Sequence, residues 1–249
     1  MPKINKDSTL NITFVGIGLC LLCSAIISFI AIQLRSVQEN NVVLDMQKKI
    51  VSSAGLEKVY GSVENAMSNI KTLIIDLDKG EIVDINPDSY ELAKELREDG
   101  KYKFLSAEED VASIKKREKY SKVYIEYKDN EINTLILPVR GYGLWGILYG
   151  YLAIEGDFNT VAGLEFYEHK ETPGLGAEID NPKWKALWKG KKIYQENGEV
   201  SLKVIKGNVL ETSNNFSYEI DGLSGATLTC NGVSNLIAYW MGNDGFLNF

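Results

Sequence analysis

"DGLSGATLTC", residues 221–230, places two small residues, Gly225 and Ala226, immediately before Thr227. Downstream, "LTCNGVSNLIAYWMG" carries Val233, Leu236, Ile237 and Trp240 on one helical face, with Gly242 as a stop signal, so Thr227 lies at or just before a helix N-terminus. Two readings of the loop compete. In one, Ser224 or Thr227 is simply the N-cap. In the other, the Thr227 hydroxyl is kept reachable because a group is attached to it. A phosphate at this point would meet unpaired backbone N–H groups and the positive end of the helix dipole, about 0.3 to 1 kcal/mol in dipole terms. That geometry favours an anion near Thr227 and leaves open whether it is covalent.

Upstream, "FYEHKETPGLGAEIDNP" (166–182) contains Thr172-Pro173-Gly174-Leu175, with proline and glycine where a type II turn requires them. His169, the single histidine, stands beside Glu168 and reads as structural. Asn181 and Pro182 form the cap and first turn of a short helix, and the i, i+4 spacing of Trp184 and Trp188 indicates packing. In "GYGLWGILYGYLAIEGD" (141–157), an extended chain puts Gly146 and Gly150 on one face with Leu148 and Leu152, and Trp145, Tyr149 and Tyr151 on the other. Any single residue here fits an aromatic core strand; together, the glycines and aromatics would suit a planar aromatic cofactor.

Farther out, "SKVYIEY" and "INTLILPV" also read as strands, and "NPDSYELAKELREDG" as a helix with Asn86 or Asp88 as cap and Gly100 after its end. Runs of strands interrupted by single helices indicate an α+β domain. At the N-terminal side, "ITFVGIGLCLLCSAIISFIAI" runs from Ile12 to Ile32, 21 residues without a charge. At about 1.5 Å per residue, such a helix crosses a hydrocarbon core of about 30 Å. Lys3 and Lys6 before it nearly balance Arg35, Lys48 and Lys49 after it, so charge does not fix its orientation. The expected organisation is a head (1–11), a transmembrane helix (12–34), a helical stalk (35–56) and an α+β domain (57–249).

Composition excludes several classes of function. The formal charge of -7 leaves no basic surface for nucleic acid. Two of the three cysteines, Cys20 and Cys23, fall in the apolar run, so neither a disulfide framework nor a zinc site can be assembled. No nucleophile-and-base signature is present, which suits a carrier better than a self-sufficient catalyst.

"DGLSGAT" with "ETPGLG" upstream, behind one N-terminal membrane helix, resembles the FMN-binding domain family, in which FMN is joined through its phosphate to the last threonine of an S/T-G-A-T motif. Within it, "GYGLWGILYGYLAIE", "YEHKETPGLGAEI" and "SGATLTCNGV" resemble the C subunits of sodium-translocating NADH:quinone oxidoreductases. The resemblance implies covalent FMN on Thr227, with Asp221, Gly222, Ser224, Gly225 and Ala226 as recognition motif. Glu171, Thr172, Leu175 and Gly176 are implied beside the flavin, as are Leu144, Trp145 and Leu228, in an FMN-binding region spanning about 138–249. Lys170 replaces the family's glycine before E-T-P-G-L-G, and Cys230 a common serine.

The resemblance further implies a membrane-anchored protein that relays electrons from NADH toward quinone. Its implied partners are the membrane and flavin/iron-sulfur subunits of the sodium-pumping complex, and a flavin transferase that cleaves FAD, leaves FMN on the threonine and releases AMP. The domain would face the periplasm from the bacterial inner membrane. The G subunit of the ferredoxin:NAD electron-transport (Rnf-type) complex is the alternative of like chemistry, and an extracytoplasmic sensor or binding domain the alternative of another class.

Overall fold

The computed structural model describes residues 8–249; Lys3 and Lys6 and most of the expected head lie outside them. The chain divides into a unit ending at Asp45 and a folded body from Met46 to Phe249. In the first unit runs most of helix α1 (Thr9–Ser53), whose most apolar window has a mean hydropathy of 2.6. Among the described residues it is the one helix long and apolar enough to cross a membrane. Two hydroxyls of its apolar run bond back into the helix: Thr13 donates to the Thr9 carbonyl at 2.8 Å and Ser24 to the Leu21 carbonyl at 2.9 Å.

In the body, two short helices follow, α2 (Glu57–Tyr60) and α3 (Val63–Ser68), the second capped by Ser62, which accepts from the Asn65 amide. The strands and remaining helices are β1 (Ile70–Asp76), β2 (Glu81–Val83), α4 (Leu92–Glu95), β3 (Tyr102–Phe104), β4 (Lys116–Glu118), β5 (Tyr120–Lys128), β6 (Glu131–Tyr142), β7 (Ile147–Glu155), β8 (Val161–Glu168), α5 (Pro182–Ala186), β9 (Lys203–Val204), β10 (Glu219–Ile220) and α6 (Thr227–Trp240). Six strands form an antiparallel sheet in the order β2-β1-β5-β6-β7-β8. The architecture is the expected α+β, and β5, β6 and β7 coincide with the three stretches rich in β-branched and aromatic residues.

α6 covers one face of the sheet. Val233, Leu236, Ile237 and Trp240 are all fully buried, each contributing about 1.5 to 3 kcal/mol as apolar surface leaves water. The helix approaches β6 closely because it meets it through glycine: a Cβ on Gly232 would stand 2.3 Å from the Tyr142 carbonyl oxygen. The Trp240 indole N–H donates to the Arg140 carbonyl at 2.7 Å, fixing the other end of α6 to the same strand. On the opposite face, Ile50, Val51, Leu56 and Ala66 pack over Ile70, Tyr124, Ile136, Tyr151 and Ala153.

The helix expected after Asn86 is much shorter. Asn86 does cap a turn, accepting from the Asp88 amide, but that turn is a 3-10 segment, Pro87–Ser89, and α4 holds only four residues. Tyr90 breaks the run. Its backbone is extended (φ -79°, ψ 129°) and its hydroxyl donates to the Tyr120 carbonyl at 3.1 Å, so tertiary anchoring overrides local helix propensity.

Candidate functional site

α6 starts at Thr227 with Ala226 in the capping position, and no side chain accepts from its first turn. The expectation that Ser224 or Thr227 caps the helix is therefore not met: Ser224 faces solvent and Thr227 is itself the first helical residue. Thr227 is exposed, whereas Thr229 is fully buried. Two residues along an α-helix turn it through roughly 200°, so the two hydroxyls point to opposite sides.

The loop before α6 is held from behind. The Trp184 indole N–H donates to the Asp221 carbonyl at 2.8 Å, Asp221 Oδ1 accepts from the Val209 amide at 2.7 Å, and the Gly222 amide donates to the Gly207 carbonyl at 2.8 Å. Cys230 is buried and its sulfur accepts from the Leu223 amide at 3.3 Å. Burial pushes its thiol above the ordinary range, making it inert packing rather than a reactive group.

The segment 172–175 makes the expected turn. Gly174 has φ +76°, the Leu175 amide donates to the Thr172 carbonyl at 3.1 Å, and Thr172, Pro173 and Leu175 face outward. His169 stiffens the entry: Nε2 pairs with Asp180 Oδ2 at 2.8 Å while Nδ1 accepts from the Glu171 amide at 3.2 Å. Glu171, in the segment expected beside a flavin, is turned inward and 5% exposed. Its Oε1 accepts from the amides of Leu144 at 3.0 Å and Trp145 at 2.9 Å, and its Oε2 accepts from the Thr229 hydroxyl. Gly176 is buried beside that carboxylate, so of the four expected site residues in this segment Thr172 and Leu175 face outward.

Three segments distant in sequence are thereby tied together: the turn at 143–146, the turn at 172–175 and the first turn of α6. Each presents apolar side chains to solvent. Leu144 is 40% exposed, Trp145 62%, Leu175 45% and Leu228 58%. Such a group, beside a helix start with no side-chain cap, can hold a planar aromatic ligand that ends in an anion. It offers no acid–base pair, since His169 and Glu171 are committed to the protein. Among the described residues no cluster of three or more His, Cys, Asp or Glu could hold a metal.

The aromatic strand does not belong to this site. Tyr151 lies 5.8 Å from Tyr124 and 5.1 Å from Tyr167, ring centroid to centroid, on the sheet face opposite α6. Burial pushes the Tyr151 and Tyr167 phenols far above their ordinary value and Tyr124 up to about 12. These rings pack in or against the core, and the stretch reaches the site through Gly143, Leu144 and Trp145, in the turn before β7. Thr229 and Gly143 are the members that sequence reasoning misses. Two threonines spaced two apart in a helix, one out and one in, are the available signal.

Residues 143–242, which enclose all of these site segments, match the FMN-binding domain family. The chain is 45% identical over 247 residues to the C subunit of the Na+-translocating NADH-quinone reductase of Pseudomonas aeruginosa, covering 97% of this chain and 95% of that protein. It is 41% identical over 242 residues to the protein of that name from Vibrio anguillarum, covering 97% and 94%. Among solved structures, Shewanella oneidensis NqrC superposes with a TM-score of 0.73 at 31% identity over 82% of this chain and 93% of that one. The corresponding C subunit from Parabacteroides distasonis gives 0.61 at 28% identity over 86% and 96%.

Proposed function

This chain belongs to the C-subunit family of the Na+-translocating NADH-quinone reductases, and on that premise we propose that it carries FMN in phosphoester linkage to Thr227. As a member it is an electron-transfer flavoprotein component of that oxidoreductase complex, working among the complex's other subunits. The Rnf-type alternative and the sensor give way, because relatives named as the C subunit match along 97% of the chain.

One observation carries the assignment to Thr227. Of the two threonines in the first turn of α6, only Thr227 is exposed, and it stands where no side chain caps the helix. A phosphate esterified there is met by the amides of the first turn. Gly225 and Ala226 leave the approach to the hydroxyl open, Asp221 and Gly222 fix the loop, and Ser224 and Thr172 are exposed to solvent. Leu144, Trp145, Leu175 and Leu228 supply an apolar bed that keeps water from one side of the ring. When bound, FMN supplies the redox chemistry, taking electrons from one partner and passing them to another.

Loading requires a flavin transferase. The Thr227 hydroxyl oxygen bonds to the FMN-side phosphorus of FAD, the pyrophosphate bond breaks, AMP leaves, and the hydroxyl proton is taken up by the transferase. For topology the reading is a single pass through the bacterial inner membrane with the flavin-bearing body in the periplasm, which the long apolar α1 supports as an anchor. The chain co-expressed with a flavin transferase should give a fluorescent band on a denaturing gel. A dark band from a correctly folded, transferase-exposed chain would overturn the covalent assignment.

A further inference from the structure

We infer that Glu171 is the positioning residue of the flavin site, a buried carboxylate strut that sets the Leu144-Trp145 turn against the first turn of α6 without itself meeting the ligand. Both of its oxygens are occupied by the protein: two backbone amides on one side and the Thr229 hydroxyl on the other. The space around it is closed by glycine. A Cβ on Gly143 would stand 2.7 Å from Glu171 Oε1, and one on Gly176 2.5 Å from Oε2 and 2.6 Å from Thr229 Oγ1. No larger residue fits at either position while the carboxylate keeps its place.

Hydrogen bonds to a charged acceptor are shorter and stronger than neutral ones, and here they join segments 26 to 58 residues apart. The strut thus transmits the position of α6, fixed by its burial against β6, to a turn whose Leu144 and Trp145 are largely outside the core. Reach matters more than charge here. Glutamine can still accept from both amides through its carbonyl and donate to the threonine oxygen, whereas aspartate keeps the charge and loses one methylene of length.

The inference builds on FMN at Thr227 for its functional meaning, but its test begins in the flavin-free chain. Amide hydrogen exchange at Leu144 and Trp145 should be protected in the parent and should accelerate about tenfold or more in Glu171→Ala and Glu171→Asp, with Glu171→Gln close to the parent. In chain exposed to the transferase, the first two variants should load flavin more slowly and show an altered visible circular dichroism, and Glu171→Gln should rescue both. Unchanged exchange in Glu171→Ala overturns the strut, as does a Glu171→Asp variant that behaves like the parent. If the exchange pattern holds while no flavin is found on Thr227, the strut stands and the proposed attachment fails.

Discussion

Leu175 lies against Gly225: a Cβ added at Gly225 would stand 3.0 Å from Leu175 Cδ2, on backbone at φ +74°. The turn at 172–175 and the loop before Thr227 thus come close at a point where a side chain would have to displace the tip of Leu175. Gly225→Ala adds both a left-handed backbone penalty and a contact with Leu175. It should destabilise the body by about 1 to 2 kcal/mol and lower the flavin-to-protein ratio after transferase treatment, both measurable on one preparation. Parent-like loading and stability would show that the contact is incidental.

Gly174 isolates the backbone contribution. It has φ +76°, and a Cβ there would meet nothing within 4 Å, so sterics play no part. Gly174→Val should strain the turn by about 1 to 3 kcal/mol and disturb the flavin absorption spectrum, whereas Gly174→Asn, which tolerates the left-handed region, should be much milder. Equal effects of the two would place the cause elsewhere than in backbone conformation.

Gly232→Ala tests how α6 is seated. The added Cβ would meet the Tyr142 carbonyl, a backbone atom that cannot swing aside, and overpacking of this kind costs about 1 to 3 kcal/mol. Because α6 also carries Thr227, thermal unfolding and flavin loading should decline together.

Alkaline stability follows from the phenols. Tyr60 is pushed up to about 12, first by its hydrogen bond to Glu126, and Tyr194, whose hydroxyl donates to the Met241 carbonyl, up to about 12 by burial. A raised folded value stabilises fully below the ordinary value of 10.0 and is lost as pH climbs through about 12. The melting temperature should therefore fall between those limits, and Tyr194→Phe should flatten part of the decline.

The proposed topology predicts that alkaline phosphatase fused after Phe249 is active in cells and that green fluorescent protein exported through the general secretory route is dark there. The opposite pair of results would put the body in the cytoplasm.

The parts of this molecule legible in the sequence are those governed by local periodicity. The face of α6 at Val233, Leu236, Ile237 and Trp240 and the strands β5 to β7 follow from spacing and β-branched content. β1 and β8 do not stand out in the same way, and in β8 the adjacent Ala162 and Gly163 interrupt the alternation. The helix expected after Asn86 fails because Tyr90 answers to β5, thirty residues on. At the site, Thr227 is marked by its small neighbours, but the inward role of Glu171 is hidden because its partner Thr229 lies 58 residues away. No local pattern encodes such a bond.

Intact mass and peptide mapping of the chain co-expressed with a flavin transferase decide whether Thr227 carries the flavin. One added FMN is expected, located on the peptide at Thr227 and lost completely in a folded Thr227→Ala variant. FMN mass on the Thr227→Ala protein, or flavin mapped to any other residue, would contradict it.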